Sequence, residues 1–389
     1  LGKGTADNDV ITSGIVLNAG GVNDGSDTTL ELRTIGDTTD SDVRINGFVT
    51  LESDVLITTN GDDGLDTNQS FAGDILLTHS AVVNSATGET RDFTLRSGTG
   101  TISLNANIGA TDAVQSLTIS DTTGTVTIGA FDTANQTLTE DLGPVTLIRS
   151  VGAIDFGAGT GDTDDDDVIT GGIILNGGGD NNNDLSGAGN NDSLLELRTI
   201  GNTAGSDVRL NGAVTLGSDV LITTNGDTGL DTQQAFAGDI TFTHDAAVNS
   251  ATGERNDLEL RSGAGTVNVN ANMGVTDALQ TLVVSDTTGV VTFGTADTIT
   301  AAQDGGPVTL IRTFGEINLG KGTADNDVIT SGIVLNGAGT GITFQTSDDD
   351  IRFNGQVRLQ SDVMLDTDDG AGDVTFTNDA SIDSQNGEN

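Results

Sequence analysis

The chain has 389 residues, with 14 Lys and Arg against 58 Asp and Glu, for a formal net charge of −44. That balance excludes sequence-independent nucleic-acid binding, which needs cations to neutralise phosphates, and it opposes docking on an anionic membrane. Cysteine is absent, so disulfides, thiolate metal sites and Cys catalysis are excluded, and no apolar run approaches the ~20 residues of a membrane span. Hydrophobic residues make up 34% of the chain, with 12 Phe and no Trp or Tyr. The core is therefore thin and mostly aliphatic.

Reading from the first residue, LGKGTADNDVITSGIVLN occupies 1–18 and returns unchanged at 319–336. A looser copy, FGAGTGDTDDDDVITGGIILN, covers 156–176. The text between repeats in the same order. VTLESDVLITTNG (49–61) matches 214–226 and 357–370, and LRSGTGTISLNANIG (95–109) matches 260–274. Such self-similarity marks a repeat architecture. The units are 1–155, 156–318 and a partial third, 319–389. The first residue is not Met and both ends fall inside a repeat, which is the expectation for a piece of a longer chain.

Inside each unit the apolar residues alternate with polar or small ones. Val43 and Ile45, Val49 and Leu51, Val55 and Ile57, Ile75 and Leu77, and Phe93 and Leu95 lead the series. Period 2 predicts short strands with one buried face, and no stretch carries a sustained helical pattern. Asn-Gly pairs such as Asn46-Gly47, Asn211-Gly212 and Asn354-Gly355 suit tight corners. Only Pro144 and Pro307 interrupt the supply of backbone donors, both in GPVTLI ahead of a strand. Strands pair at 9–11 residues, and Leu95 to Leu117 suggests a coil of 22. This spacing predicts an all-β parallel solenoid of roughly seven coils per unit and seventeen in all. At ~4.8 Å per coil the rod would be about 80 Å long, with one net charge every ~2 Å. A string of β-sandwiches is the rival, but sandwiches favour a Trp or Tyr core.

Candidate chemistry is sparse. His79 and His244 hold equivalent places, and Asn378 stands there in the third copy, so a solvent-facing turn is the expectation. GEINLGK (315–321) matches a phosphate loop only as far as its Lys. Gly322 follows instead of Ser or Thr, and no helix is expected. Paired carboxylates suit a glycosidase, yet Asp is common enough here for chance pairs, and an active site is normally single. The Asp clusters are candidate ion sites. One holds Asp162, Asp164, Asp165, Asp166 and Asp167. Another holds Asn60, Asp62, Asp63 and Asp66, with copies at Asn225, Asp227 and Asp231, and at Asp366, Asp368, Asp369 and Asp373. Hard oxygen ligands on irregular corners suit Ca²⁺. The competing reading is a solvated acidic corner that keeps the rod soluble.

Segments such as SDVRLNGAVTLGSDVLITTNG followed by AGDITFTHDAAVNSATGE resemble the large repetitive bacterial surface proteins with filamentous-haemagglutinin-like β-strand repeats. The resemblance is one of pattern and covers nearly the whole chain. It implies a right-handed parallel β-helix and a structural shaft, an adhesin stalk, sheath or extracellular filament at the cell surface. The expected partners are further copies of the repeat, including self-assembly into fibres, and host or cell-surface glycans, with no nucleic acid and no membrane insertion. Successive units are expected to expose similar acidic faces at equivalent positions. A β-helix carbohydrate-active enzyme or glycan-binding module is the alternative, and a deep cleft lined by non-repeated Arg, Lys and carboxylates would favour it.

Overall fold

The structure, a computed structural model, describes residues 1, 10–20, 28–35, 41–59, 73–130, 142–158, 168–178, 193–201, 205–226, 238–295, 305–321, 328–337, 339–347, 349–368 and 372–384. Among these there are 33 strands and no helix, and every strand pairing is parallel. The strands are short because each is one side of a three-sided coil. Successive strands visit three faces in strict rotation, and each lies over the strand one coil earlier.

The second face is an unbroken twelve-stranded sheet from Leu30–Arg33 to Ile382–Ser384. The first face begins at Ile15–Leu17 and carries a single-residue link at Ile108, which bridges Val83 and Ile148. The third begins at Val43–Ile45 and is linked in the same way by Met273, which bridges Val248 and Ile311. Sheets cross residue 156 and residue 319 without interruption. Leu117 pairs with Ile154 and Ile154 with Val208, while Val291 pairs with Ile333. One apolar cluster runs from Ile15 to Val357. Its columns are mostly aliphatic until Phe293, Phe344, Phe353 and Phe376. There two edge-on ring contacts of 5.2 and 5.9 Å and one stacked contact of 5.1 Å join the three faces.

The coil is larger than the 22-residue spacing predicts. Phe93 lies under Leu117, 24 residues on, but Ile154 lies under Val208, 54 residues on. The 9–11-residue pairs seen in the sequence are two sides of a triangle, and the third side was missed because it can shrink to Ile108 alone. Twelve strands on one face, at ~4.8 Å each, give a rod about 53 Å long rather than about 80 Å.

The repeat is not a whole number of coils. From Ile15–Leu17 to its copy Ile173–Leu175 there are thirteen strands, and the link at Ile108 makes fourteen positions. Fourteen strands on three faces are four turns and two-thirds. The three copies of this strand therefore occupy three different faces: Ile15–Leu17 the first, Ile173–Leu175 the third and Ile329–Leu335 the second. The strand shared by the identical text at 1–18 and 319–336 thus lies on different sides of the rod.

One corner is built from glycines because coils approach there too closely for any side chain. A Cβ on Gly100 would fall on the carbonyl of Gly73, and one on Gly124 on that of Gly100. Gly238, Gly265 and Gly289 repeat the column in the second unit. Gly265 is not in the left-handed region, so its constraint is steric alone. Gly265→Ala is expected to destabilise the rod by about 1–3 kcal/mol, the usual range for overpacking. Gly205→Ala, where an added Cβ meets nothing within 4 Å, should be near neutral. Chemical denaturation of the two variants checks the contrast.

Candidate functional site

The strongest recurring polar arrangement lies just before the first inward residue of many strands. Asp42, Asp54, Asp74, Asp92, Asp207, Asp219, Asp239, Asp257, Asp350, Asp362 and Asp373 each precede Val, Ile, Leu or Phe. Coil stacking places some of these directly above one another. The carboxylate of Asp207 accepts the N–H of Asp239 at 2.8 Å, and Asp239 accepts that of Thr266 at 2.7 Å. In the first unit Asp42 accepts from Asp74 at 2.9 Å and Asp74 from Thr101 at 2.7 Å. Asp54 and Asp92, Asp219 and Asp257, and Asp350 and Asp373 repeat the motif at 2.8–3.0 Å. Aspartate suits the place because its short side chain reaches one coil forward to a backbone donor at the bend. The signal in the sequence is Asp followed at once by an inward apolar residue, which a search for ion-ligand spacing overlooks.

Stacking has an electrostatic cost. Burial pushes the carboxyls of Asp207 and Asp219 above the ordinary aspartate value of 3.8, the bond from the next coil's N–H opposes this, and the charge of the next Asp adds to it. A second buried row satisfies the neighbouring corner with neutral groups. Thr78, Thr243 and Thr377 donate their hydroxyls to Asn46, Asn211 and Asn354 at 2.8, 2.7 and 2.6 Å.

Among the described residues, several arginines pair with carboxylates on or beside the strands. Arg33 pairs with Glu31 at 2.5 Å, Arg91 with Glu89 at 2.9 Å, Arg261 with Glu259 at 2.8 Å and Arg209 with Asp155 at 3.3 Å. Arg198 is held by Glu196. Three of these pairs join residues two apart on one strand, where period 2 puts both side chains outward. Arg149 lies in register with Arg198, and its Nη2 donates to the Thr111 carbonyl at 2.7 Å. Burial, and then the charge of Arg198, push its guanidinium below its ordinary value, against the pull of Asp112 and Glu196. Arg255 stacks on Phe314, 3.4 Å from the ring centre.

The structure describes few of the candidate ion ligands. Asp366 accepts from the Asp368 N–H at 3.0 Å and from the Gln345 side chain at 3.3 Å. Asn225 is buried and accepts the Thr223 hydroxyl at 2.8 Å. Asp373 is tied by its own N–H to Asp350. Asn60, Asp62, Asp63, Asp66, Asp162, Asp164, Asp165, Asp166, Asp167, Asp227, Asp231 and Asp369 lie outside the described residues. Among the described residues no group of three or more His, Asp or Glu comes together as a metal site. The segments that carry the second cluster leave different faces. The first copy follows Val55–Thr58 on the second face, the next follows Val220–Thr223 on the first, and the last follows Val363–Asp366 on the third. The strands that precede these segments therefore lie on three different faces.

His79 and His244 sit in exposed turns, with His244 Nε2 3.3 Å from Asp245. GEINLGK ends in the strand Ile317–Lys321, where Lys321 binds Glu316. A shallow groove of about 70 Å³ lies at Ser331, Gln356 and Arg358, well below the ~300 Å³ at which ligand pockets begin. No helix among the described residues is long and apolar enough to cross a membrane. In comparisons with known proteins, the chain matches no family model, no curated protein and no solved structure.

The stacked carboxyls give a pH signature. Asp207 and Asp219 bind their protons more tightly folded than unfolded. Both therefore add stability below pH 3.8 and lose it as the pH rises through their raised folded values. Asp207→Asn keeps the acceptor for Asp239 and removes the charge. It is expected to melt higher than the parent at pH 7, with the difference closing below pH 3.8, whereas Asp207→Ala should show no gain. Thermal melts across pH 3–7 check this.

Proposed function

We propose that the chain is a passive shaft segment of a large exported surface protein, a stalk, sheath or filament at the cell surface. One observation carries the reading: a single apolar interior passes through both unit boundaries while the repeat turns by two-thirds of a coil per unit. A rod of this kind suits a shaft, because its interior is continuous from coil to coil. Within-strand pairing of Arg33, Arg198 and Arg261 with glutamates supports the same reading, because these charges are engaged along the strand surface. Resemblance to filamentous-haemagglutinin-like repeats adds the extracellular setting, the partnership with further repeats and fibres, and the prospect of glycan contacts at the surface.

Charge is the main physical problem for such a shaft. Spread over about 53 Å, −44 charges give one every ~1.2 Å, denser than the ~1.7 Å of duplex DNA. Counterions must gather for the compact state to persist. Ca²⁺ at the Asp-rich corners fits this need, since flexible oxygen ligands suit it better than Mg²⁺.

The purified protein is expected to leave polysaccharides intact in a reducing-end assay. Turnover abolished by one Asp substitution would replace the shaft reading with the enzyme. Millimolar Ca²⁺ is expected to raise the melting temperature further than NaCl of matched ionic strength. Equal shifts would reduce the acidic corners to diffuse screening.

A further inference from the structure

The last three strands, Val363–Asp366, Val374–Phe376 and Ile382–Ser384, form one coil whose outer edge has no partner strand among the described residues. Their inward positions are open: Val374 is 42% exposed and Ile382 50%. The equivalent residues in the first two units, Ile75 and Ile240, and Val83 and Val248, are at most 1% exposed. Those four residues lie beneath a further coil. In both earlier units that coil has one sequence type, residues 92–109 and 257–274, reading Asp-Phe/Leu-x-Leu-Arg-Ser-Gly-x-Gly-Thr and ending in Asn-Ala-Asn-Ile/Met-Gly. Val55 is covered by Phe93 and Val220 by Leu258; Ile75 by Ile102 and Ile240 by Val267; Val83 by Ile108 and Val248 by Met273.

Polar groups at the edge fit the same occupant. Asp54 and Asp219 each accept an N–H from the covering coil, Asp92 and Asp257, and Asp362 is their equivalent. Asp74 and Asp239 accept the N–H of Thr101 and Thr266, and Asp373 is theirs. Gly73 and Gly238 are approached by the second Gly of the LRSGxG run, and Gly372 stands in that place.

We infer that the edge formed by these three strands is a docking surface for one further β-coil of the 92–109 type, recognised by its inward apolar residues and by the carboxylates of Asp362 and Asp373. The inference rests on the shaft reading for its biological setting, but its geometry stands on the chain's own coil-on-coil interfaces.

The test extends the full chain. Asn389 occupies the place of Thr90 in the first unit, so a copy of residues 91–128 is fused after it. A control carries Phe93→Ser, Leu95→Ser, Ile102→Ser and Leu104→Ser in the added copy. Hydrogen exchange is read at the three edge strands, with Val220–Thr223 reporting that the shaft remains folded. The native extension should slow edge-strand exchange by about tenfold or more, and the control should not. Equal protection from both, or from neither, overturns the inference. So does a parent chain that dimerises with these strands already protected, since the occupant would then be a second copy. Polysaccharide turnover would remove the shaft reading and leave this result standing.

Discussion

Backbone groups in this rod point along its axis, so each N–H and C=O must find its partner in the coil above or below, about 4.8 Å away. Everything else adapts to that spacing. Strands stay at three to seven residues because a longer side would open the triangle beyond what Val, Ile, Leu and Phe can fill. Single residues, Ile108 and Met273, serve as a whole side where the coil is shortest, because one parallel bridge keeps the ladder continuous. A coil can also be long, as in the 54 residues from Ile154 to Val208, and still bring its strands into parallel register.

The same spacing stacks like on like. A polar residue at a bend sits over its counterpart one coil earlier, and for aspartate that means carboxylate over carboxylate. The solution is to aim each carboxylate at a backbone N–H of the next coil, as Asp207 does toward Asp239. The bond offsets part of the desolvation and the raised proton affinity records the remainder. Where the row is fully buried, at Asn46 and Thr78, neutral groups replace the charge and the chain of bonds closes without it. Glycine columns solve the steric version of this problem by removing the side chain.

Much of the fold was legible because period-2 alternation and exact self-repetition are strong signals. Val49 with Leu51, and Ile102 with Leu104, mark one strand each, and both are strands with buried ends. The number of coils was not legible. Spacing between apolar pairs reveals two sides, and a third side made of Ile108 alone leaves no alternation to read. The role of aspartate was also hidden. Its abundance suggests ion ligands, but Asp54 and Asp219 owe their positions to the strand start that follows them. That use becomes visible only when the coil above is known.

A repeat of fourteen strands on a three-sided frame has a consequence for sequence itself. The text at 1–18 and at 319–336 is identical yet its strand lies on different faces, so no residue in that strand can encode which face it belongs to. All three faces must accept the same strand lengths, the same inward volumes and the same corners. That equivalence favours small aliphatic residues, which pack against any neighbour, over aromatics that need a particular one.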